Sequence, residues 1–170
     1  VDETGSFVAD SLLSGIMLDT KNFILRVGVG TFEAAARLKD LGADPVRVKR
    51  LFSNDIENYH ERNQIVDSAK KYKNCAIAVA DVESKDIRLI SAQAADELIN
   101  ISGITASFVL FPDGEQVIIS ARSIGSCNVQ VVLEKLGGGG NGATAGAQIK
   151  GKPLRQVLQD LVGAIDAFYA

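Results

Sequence analysis

The feature that most constrains this 170-residue chain is a tract of four consecutive glycines, residues 137–140, followed by Asn141. Glycine loses more backbone freedom on folding than any other residue, so such a tract is favoured where the main chain must approach another group closely or adopt positive φ. Exposed backbone N–H groups can also form an anion-binding concavity, which the start of a following helix would strengthen. Apolar, helix-like segments flank the tract at 129–136 and 144–149. We therefore interpret it as part of a folded domain rather than as a flexible linker.

Composition and charge narrow the class of protein. The chain is 46% hydrophobic and 23% charged, which is typical of a soluble globular protein. Its net charge of −3 argues against a broad surface for duplex nucleic acid, which is usually basic. Cys75 and Cys127 match no metal-binding spacing, so we expect reduced, partly buried thiols. No apolar run approaches the roughly 18 residues that cross a bilayer, so we expect a cytoplasmic chain without membrane contact.

Helix and strand patterns alternate and predict an α/β fold. The first part of the chain begins with four predicted elements: helices over 7–13 and 31–41, a buried strand or turn over 15–18, and a strand over 23–29. Thr31 is the predicted N-cap of its helix, and Gly42 follows the helix end. Asp44 and Pro45 then predict the start of another helix, because Asp caps and Pro suits the first helical position.

The second part begins with a polar helix over 55–73, for which Asn54 and Glu57 are start signals. The elements predicted after it are strands over 75–82, 104–111 and 115–122, and helices over 91–99 (capped by Ser91), 129–136 and 153–168. Residues 112–114, Pro-Asp-Gly, predict a hairpin turn. The last helix carries one apolar stripe at the helical period, which predicts docking on the core.

Two separated motifs carry a family resemblance. The first comprises 120–123 (SARS), 128–130 (NVQ), 134–140 (EKLGGGG) and 145–148 (AGAQ). It resembles the DHH-associated C-terminal domain of DHH-family phosphoesterases, and within that family it is most similar to GdpP-type cyclic-di-AMP phosphodiesterases. The second comprises 15–23 (GIMLDTKNF) and 31–35 (TFEAA), and it resembles the last metal-binding motif of the catalytic DHH domain. The resemblance runs from about residue 9 to the C-terminus.

The resemblance implies three parts. Residues 1–53 correspond to the end of a DHH catalytic domain, 54–73 to a helical connector, and 74–170 to a smaller, mixed-sheet α/β domain that binds substrate. No Asp-His-His triplet occurs in the chain. We therefore expect the earlier family motifs to lie before residue 1, so that this chain is a C-terminal fragment. The parent protein is expected to be anchored in the cell membrane through upstream segments.

Asp19 is the predicted catalytic residue and metal ligand. It follows the apolar run 16–18, so it is expected at the end of a strand, where α/β sheets often place ligand groups. A carboxylate there suits Mn²⁺ or Mg²⁺. The resemblance implies that Asp19 contributes to a centre of two Mn²⁺ ions, whose other ligands lie mostly outside this chain. Without the resemblance, a turn or cap role is the alternative. Residues 20–22 are close enough to support substrate or metal.

The predicted substrate-binding residues surround the glycine tract. Arg122 and Ser123 end a strand, and arginine offers a planar fork that matches phosphate oxygens, although a lone arginine often forms a solvated salt bridge instead. Asn128 either caps the next helix or touches the ligand. The resemblance places the following residues in one pocket: Arg122, Ser123, Asn128, Gly137, Gly138, Gly139, Gly140 and Asn141.

The chain departs from the family pattern at two positions. Asn141 stands where the family usually has histidine, and asparagine can form hydrogen bonds but cannot carry a proton charge near neutral pH. Gly30 stands where arginine is expected. Both departures affect substrate choice more than fold. The single histidine, His60, lies in the polar helix, and we interpret it as a partly exposed helical residue rather than a metal ligand.

The implied function is Mn²⁺-dependent hydrolysis of cyclic di-AMP to the linear dinucleotide, with an active site in the cleft between two lobes. Cyclic di-AMP or a short linear dinucleotide is the expected ligand, duplex nucleic acid is not, and a homodimer is compatible with this function. Two alternatives stay open: a DHH-type nuclease on very short RNA, and a non-catalytic nucleotide-binding module.

Overall fold

The structure, a computed structural model, describes residues 3–53 and 55–170. The chain divides into two compact units, residues 1–54 and 55–170. The second unit contains a six-stranded mixed sheet with helices, so the predicted α/β class is confirmed. Within the described residues, no helix combines the length and the apolar character that crossing a membrane would require.

The first unit is helical and consists of α1 (Glu3–Asp19), α2 (Val29–Asp40) and α3 (Pro45–Leu51). The strand or turn predicted over 15–18 is wrong, because α1 continues through these residues. Gly15 is the only weak helix former there, and glycine costs a helix only about 1 kcal/mol relative to alanine. Packing of the apolar residues of α1 offsets this cost. Ala9, Leu13, Ile16 and Met17 join a core that also contains Leu38, Ala43 and Val48.

The segment between α1 and α2 is a turn, so the strand predicted over 23–29 is also wrong. Lys21, Asn22 and Phe23 have φ of 49°, 57° and 64°, which is left-handed backbone that no strand can contain. The buried Thr20 holds this turn, because its Oγ1 donates to the Ile16 carbonyl at 2.7 Å and accepts from the Phe23 N–H at 2.9 Å.

α1 extends beyond both ends of the helix predicted over 7–13, and α2 begins two residues earlier than predicted. This helix begins at Val29 with Gly28 as its N-cap, so Thr31 is not the cap. Thr31 still contributes to the start, because its Oγ1 accepts the Gly28 N–H at 3.2 Å. Gly42 follows the helix with φ of 101°, and Asp44 caps α3 through its side chain, both as predicted.

The second unit contains four helices and six strands. In chain order they are α4 (Ile56–Asp67), β1 (Lys70–Tyr72), β2 (Cys75–Val79), α5 (Ile87–Leu98), β3 (Ala106–Asp113), β4 (Gln116–Ser123), α6 (Val129–Glu134), β5 (Gly139–Gly140), β6 (Thr144–Lys150) and α7 (Leu154–Phe168). The strand order is β1-β2-β3-β4-β6-β5, and only β2 and β3 pair in parallel.

The predicted connector helix is shorter than expected. Asp55 caps α4 by accepting the Asn58 N–H at 2.7 Å, whereas the predicted start signal Asn54 lies outside the described residues. The helix ends at Asp67, and residues 70–72 form an edge strand antiparallel to β2. Because α4 packs on α5 and buries Ile65, it belongs to the second unit.

Other elements of the second unit differ in their starts and ends. β2 ends at Val79 rather than at residue 82, and α5 begins at Ile87, so Ser91 lies buried inside the helix instead of capping it. The hairpin of β3 and β4 is confirmed, with Gly114 at φ of 61°. The apolar stripe of α7 is also confirmed, since its residues join the core.

The sheet has two differently covered sides. On one side, here called the α7 side, α6 and α7 pack over the sheet and bury Phe108, Leu110, Ile119, Leu161 and Ile165. On the other side, the α5 side, α5 packs over β3 and β4 and buries Val109, Phe111, Ile90 and Leu98. Residues Gly146 and Gln148 of β6 face the α5 side and are exposed. This end of the sheet is therefore open on the α5 side.

A strand, not a helix, follows the glycine tract. Residues 144–150 alternate between exposed and buried, with Ala145, Ala147 and Ile149 facing the core. The prediction of helical sequence over 144–149 is therefore wrong, and no helix start lies directly after the tract. Gly139 and Gly140 themselves form β5, which pairs antiparallel with β6. The tract is thus the edge of the sheet.

Candidate functional site

Three glycines of the tract are required by backbone geometry, and one is not. Gly137 has φ of 77°. A Cβ added at Gly138 would lie 2.7 Å from the Ala147 Cβ, and one at Gly140 would lie 2.5 Å from the Ala145 Cα. A Cβ added at Gly139 meets nothing within 4 Å, and its φ is outside the left-handed region. Close approach to β6 therefore explains Gly138 and Gly140, whereas Gly139 needs another explanation.

Gly139 faces a cavity on the α5 side of the sheet. Residues opposite each other in antiparallel strands point to the same side, and Gly139 lies opposite the exposed Gly146. The cavity has a volume of about 550 Å³. It is lined by Arg88, Phe111, Ile118, Ile119, Ser120, Gly137, Gly138, Gly139, Gly146, Ala147 and Gln148. The glycine tract thus forms one wall of this cavity.

The backbone N–H groups of the tract are largely engaged. Gly137 and Gly138 donate to carbonyl oxygens of α6 at 3.1 and 2.8 Å, and Asn141 donates to β6 at 2.7 Å. In an antiparallel pair of strands, successive residues alternate between hydrogen-bonding to the partner strand and pointing away from it. Because the Asn141 N–H bonds to β6, the Gly139 backbone does so too, whereas the Gly140 N–H points to the free edge of the sheet. Of the backbone N–H groups of residues 138–140, which were expected to bind phosphate, only that of Gly140 is therefore available. The contribution of the tract to the cavity is chiefly the space left by its missing side chains.

The strand register brings three of the predicted residues onto one side of the sheet. Arg122 of β4 lies opposite Thr144 of β6. The Thr144 carbonyl oxygen in turn accepts a hydrogen bond from the N–H of Asn141, the residue that follows β5. Ser120, two residues before Arg122, is in the same row as Gly139. Because neighbouring strands are about 4.8 Å apart, Arg122, Asn141 and Gly139 lie within a few strand spacings of one another.

Arg122 is held by the helix above it. Its side chain is only 14% exposed, and its Nε donates to Asp96 Oδ1 at 2.9 Å. A second guanidinium nitrogen donates to the Ala121 carbonyl at 2.9 Å. The ion pair with Asp96 on α5 fixes the guanidinium at the border of the open end of the sheet. Its contact with substrate stays a prediction.

Ser123 and Asn128 do not face the cavity. Adjacent residues of a strand point to opposite sides, so Ser123 points away from the side that Arg122 faces. Ser123 is 3% exposed, and its Oγ donates to the Thr105 carbonyl at 3.0 Å and accepts the Gly125 N–H at 3.2 Å. Asn128 caps α6, since its Oδ1 accepts two N–H groups at 3.1 and 3.3 Å. Substrate contact by these two residues stays a prediction.

Asn141 is exposed and holds the turn between β5 and β6. Its Oδ1 accepts the N–H groups of Ala143 and Thr144 at 3.0 and 2.9 Å, a local pattern that asparagine favours in turns. Its Nδ2 makes no hydrogen bond to another described residue and is available as a donor. Asparagine here therefore combines a turn-forming acceptor with a neutral donor near the cavity.

Asp19 is the last residue of α1 and is exposed, so the prediction that it ends a strand is wrong. Its carboxylate makes no hydrogen bond or ion pair with any residue in the described ranges. In those ranges, no group of three or more His, Cys, Asp and Glu side chains is arranged to hold a metal ion. The described residues therefore do not form a complete metal centre. His60 is exposed on α4, beside the ring of Tyr59.

Sequence reasoning missed three polar residues that line the cavity: Arg88, Ser120 and Gln148. Ser120 was detectable, because it lies two residues from Arg122 on one strand and must share its side of the sheet. Gln148 was detectable in the same way once 144–150 is read as a strand. Arg88 carries no local signal, because only the packing of α5 on the sheet brings it to the cavity.

Residues 64–170 match the DHHA1 domain family, so the chain belongs to that family. Cyclic-di-AMP phosphodiesterase PdeA of Listeria monocytogenes serotype 1/2a is 42% identical over 171 residues, which cover 99% of this chain and 26% of that protein. Cyclic-di-AMP phosphodiesterase GdpP of Bacillus subtilis is 39% identical over 165 residues, which cover 95% and 25%. This chain therefore spans about a quarter of the length of the curated relatives it matches.

A solved structure shares the fold. The crystal structure of an exopolyphosphatase-related protein from Bacteroides fragilis matches with a TM-score of 0.83 and 19% identity, covering 94% of this chain and 50% of that chain. At this identity the likeness shows the fold alone. The family match, which spans residues 64–170, places the glycine tract in a DHHA1 domain.

Proposed function

We propose that the intact protein hydrolyses cyclic di-AMP to the linear dinucleotide, and that the second unit of this chain binds that substrate at the glycine-tract cavity. The observation that supports the proposal is that Gly139 lines the cavity and lacks a side chain although neither packing nor φ requires it to. Such a glycine is explained when a ligand occupies the space that a side chain would fill. The similarity to cyclic-di-AMP phosphodiesterases supports the choice of ligand.

The cavity has features suited to a nucleotide. The missing side chains of Gly139 and Gly146 leave room for a base, whereas Arg88, Ser120 and Gln148 supply polar groups for phosphate and ribose. These side chains would bind and orient the dinucleotide, with the Gly140 N–H and the Asn141 amide as further donors at the sheet edge. Arginine and neutral donors together match a phosphodiester, which carries one negative charge per phosphate.

Metal dependence is part of the proposal. A pair of Mn²⁺ ions would polarise the phosphodiester and lower the pKa of a bound water. Asp19 would supply one ligand from an exposed position, and the described residues hold no complete set of ligands. We therefore expect no measurable turnover from the 170-residue chain alone, even with added Mn²⁺. Robust Mn²⁺-dependent hydrolysis by this chain would contradict the proposal that most metal ligands lie outside it.

Isothermal titration of the 170-residue chain tests the binding step. Cyclic di-AMP is expected to bind, and Gly139→Val is expected to weaken binding by roughly tenfold or more, which corresponds to about 1.4 kcal/mol. Gly163→Val is the matched control, because a Cβ at Gly163 on α7 also meets nothing within 4 Å but lies on the other side of the sheet. The control is expected to bind as the parent does.

Competing ligands separate the alternatives. Linear di-AMP and dinucleotides with other bases are titrated in parallel with cyclic di-AMP. Binding of several linear diribonucleotides without cyclic di-AMP would replace the proposal with a nuclease on very short RNA. If Gly139→Val binds cyclic di-AMP as tightly as the parent, the cavity is not the site.

A further inference from the structure

Arg88 has a special place among the residues of the glycine-tract cavity. It lies in the first turn of α5, and the packing of α5 over β3 and β4 brings its side chain to the cavity wall. Of the residues that line the cavity, it is the only one that carries a charge. Among the residues of the cavity wall, Arg88 is therefore the cation that an anionic ligand would meet.

The guanidinium of Arg88 has donors to spare. One of its terminal nitrogens pairs with Asp113 at the end of β3, and the side chain is 56% exposed. Arginine offers five N–H donors in a planar fork, so a phosphate can bind without displacing the carboxylate completely. Arg122 differs, because its side chain is 14% exposed and two of its nitrogens are already committed to Asp96 and a backbone carbonyl.

Asp113 competes with a ligand for the same cation. An exposed ion pair of this kind contributes at most about 1 kcal/mol, so the carboxylate limits the affinity of Arg88 for phosphate without abolishing it. Gln148 and Ser120 on the adjoining strands add neutral hydrogen-bonding groups to the same cavity. The arrangement matches a phosphate ester that is bound by one shared arginine and neutral partners.

We propose that Arg88 contacts a phosphate of the nucleotide in the glycine-tract cavity, and that it sets the preference of this cavity for nucleotides over nucleosides. The inference rests on the proposed function, since it concerns the same cavity. It adds a specificity-determining residue that the sequence motifs do not contain, because residue 88 lies outside all of them. It also assigns Asp113 the role of a competing anion.

Titration of the 170-residue chain with cyclic di-AMP, AMP and adenosine tests the assignment. Arg88→Gln is expected to weaken both phosphate-bearing ligands by roughly tenfold and to leave adenosine unchanged. Arg88→Lys is expected to recover part of the loss, because it keeps the charge but not the planar fork. The loss should shrink as salt is raised, since part of it is electrostatic. Arg155→Gln, an exposed arginine on α7, is the charge-matched control and should bind as the parent does.

Asp113→Asn provides an effect of the opposite sign. Removing the competing carboxylate is expected to tighten AMP and cyclic di-AMP binding by roughly two- to fivefold, the worth of an exposed ion pair. Weaker binding by this variant would mean that the ion pair itself is needed, which would overturn direct competition for Arg88. Thermal melting of each variant establishes that it is folded.

The outcomes distinguish the inference from the proposed function. If the parent binds cyclic di-AMP, Gly139→Val does not, and Arg88→Gln binds as the parent does, Arg88 makes no phosphate contact and only this inference fails. If the parent binds none of the three ligands, the proposed function fails and the inference fails with it.

Discussion

Substitutions at neighbouring glycines of the tract are expected to have different effects on the free energy of unfolding. Gly138→Ala places a Cβ 2.7 Å from the Ala147 Cβ and closer still to the Gly146 carbonyl oxygen, and both of these atoms belong to β6, which is fixed by pairing with β4. Forcing one extra carbon into a packed site typically costs 1–3 kcal/mol. We therefore expect Gly138→Ala to lower the free energy of unfolding of the second unit by about 2–3 kcal/mol.

Gly139→Ala is the matched variant one residue away. Its Cβ meets nothing within 4 Å and its φ is outside the left-handed region. Replacing glycine at such a position reduces the freedom of the unfolded chain, so stability should stay the same or rise by about 0.4–1 kcal/mol. The two variants therefore separate a glycine that packing requires from one that it does not.

Urea unfolding followed by NMR measures both effects. Amide signals of β4 and β6 report on the second unit alone, which matters because two units can unfold separately. Equal stability for Gly138→Ala and the parent would refute the close approach of β5 to β6. A loss of more than about 2 kcal/mol in Gly139→Ala would refute the reading of Gly139 as an open position.

Three further predictions concern charged residues. The hydrogen bond from Arg47 lowers the pKa of Asp10. The stability that Asp10 contributes is therefore present above the ordinary pKa of an aspartate and is lost as pH falls through the lowered value. Thermal melts of the first unit should show a decline in stability below about pH 4, and Asp10→Asn should abolish this decline. In the intact protein, Asp19→Asn should nearly abolish the proposed turnover while circular dichroism stays unchanged, and near-normal activity at limiting Mn²⁺ would remove Asp19 from the metal site. Arg122→Ala should weaken cyclic di-AMP binding, by a larger factor at low salt than at high salt; an unchanged titration would remove Arg122 from the site.

The sequence predicts the local structure correctly where a short motif is compatible with only one conformation. Asp44 before Pro45 starts a helix, residues 112–114 close a hairpin, and the stripe of α7 docks on the core. Each of these depends on contacts or φ values within a few residues, so the surroundings cannot easily override them. The same holds for Gly42, whose positive φ ends α2.

The errors arose where the tertiary context decides. Residues 15–18 are short and apolar, which suits a strand or a helix equally, and the shared core of the first unit selects the helix. Residues 144–150 alternate with a period of two, yet alanine and glycine make that alternation faint. Four glycines carry no side-chain pattern at all, so only the pairing with β6 identifies β5.

The candidate site was predicted in part. Alternation along a strand was sufficient to separate Arg122 from Ser123, but the motif treats the two as one unit. Asp19 follows an apolar run in either reading, and only the length of α1 shows that it ends a helix. Arg88 could not have been predicted, because its distance from the glycine tract along the chain gives no sign of their proximity in space.

Chemical-shift mapping locates the dinucleotide on the second unit. Cyclic di-AMP is added to the ¹⁵N-labelled chain, and binding in the glycine-tract cavity is expected to give the largest shifts at Gly139, Ser120, Gly146, Gln148 and the Arg88 side chain. Shifts concentrated at the groove between α6 and α7, near Lys152 and Gly163, would place the ligand on the wrong side of the sheet and contradict binding in that cavity. The absence of any shift at millimolar ligand would contradict it equally.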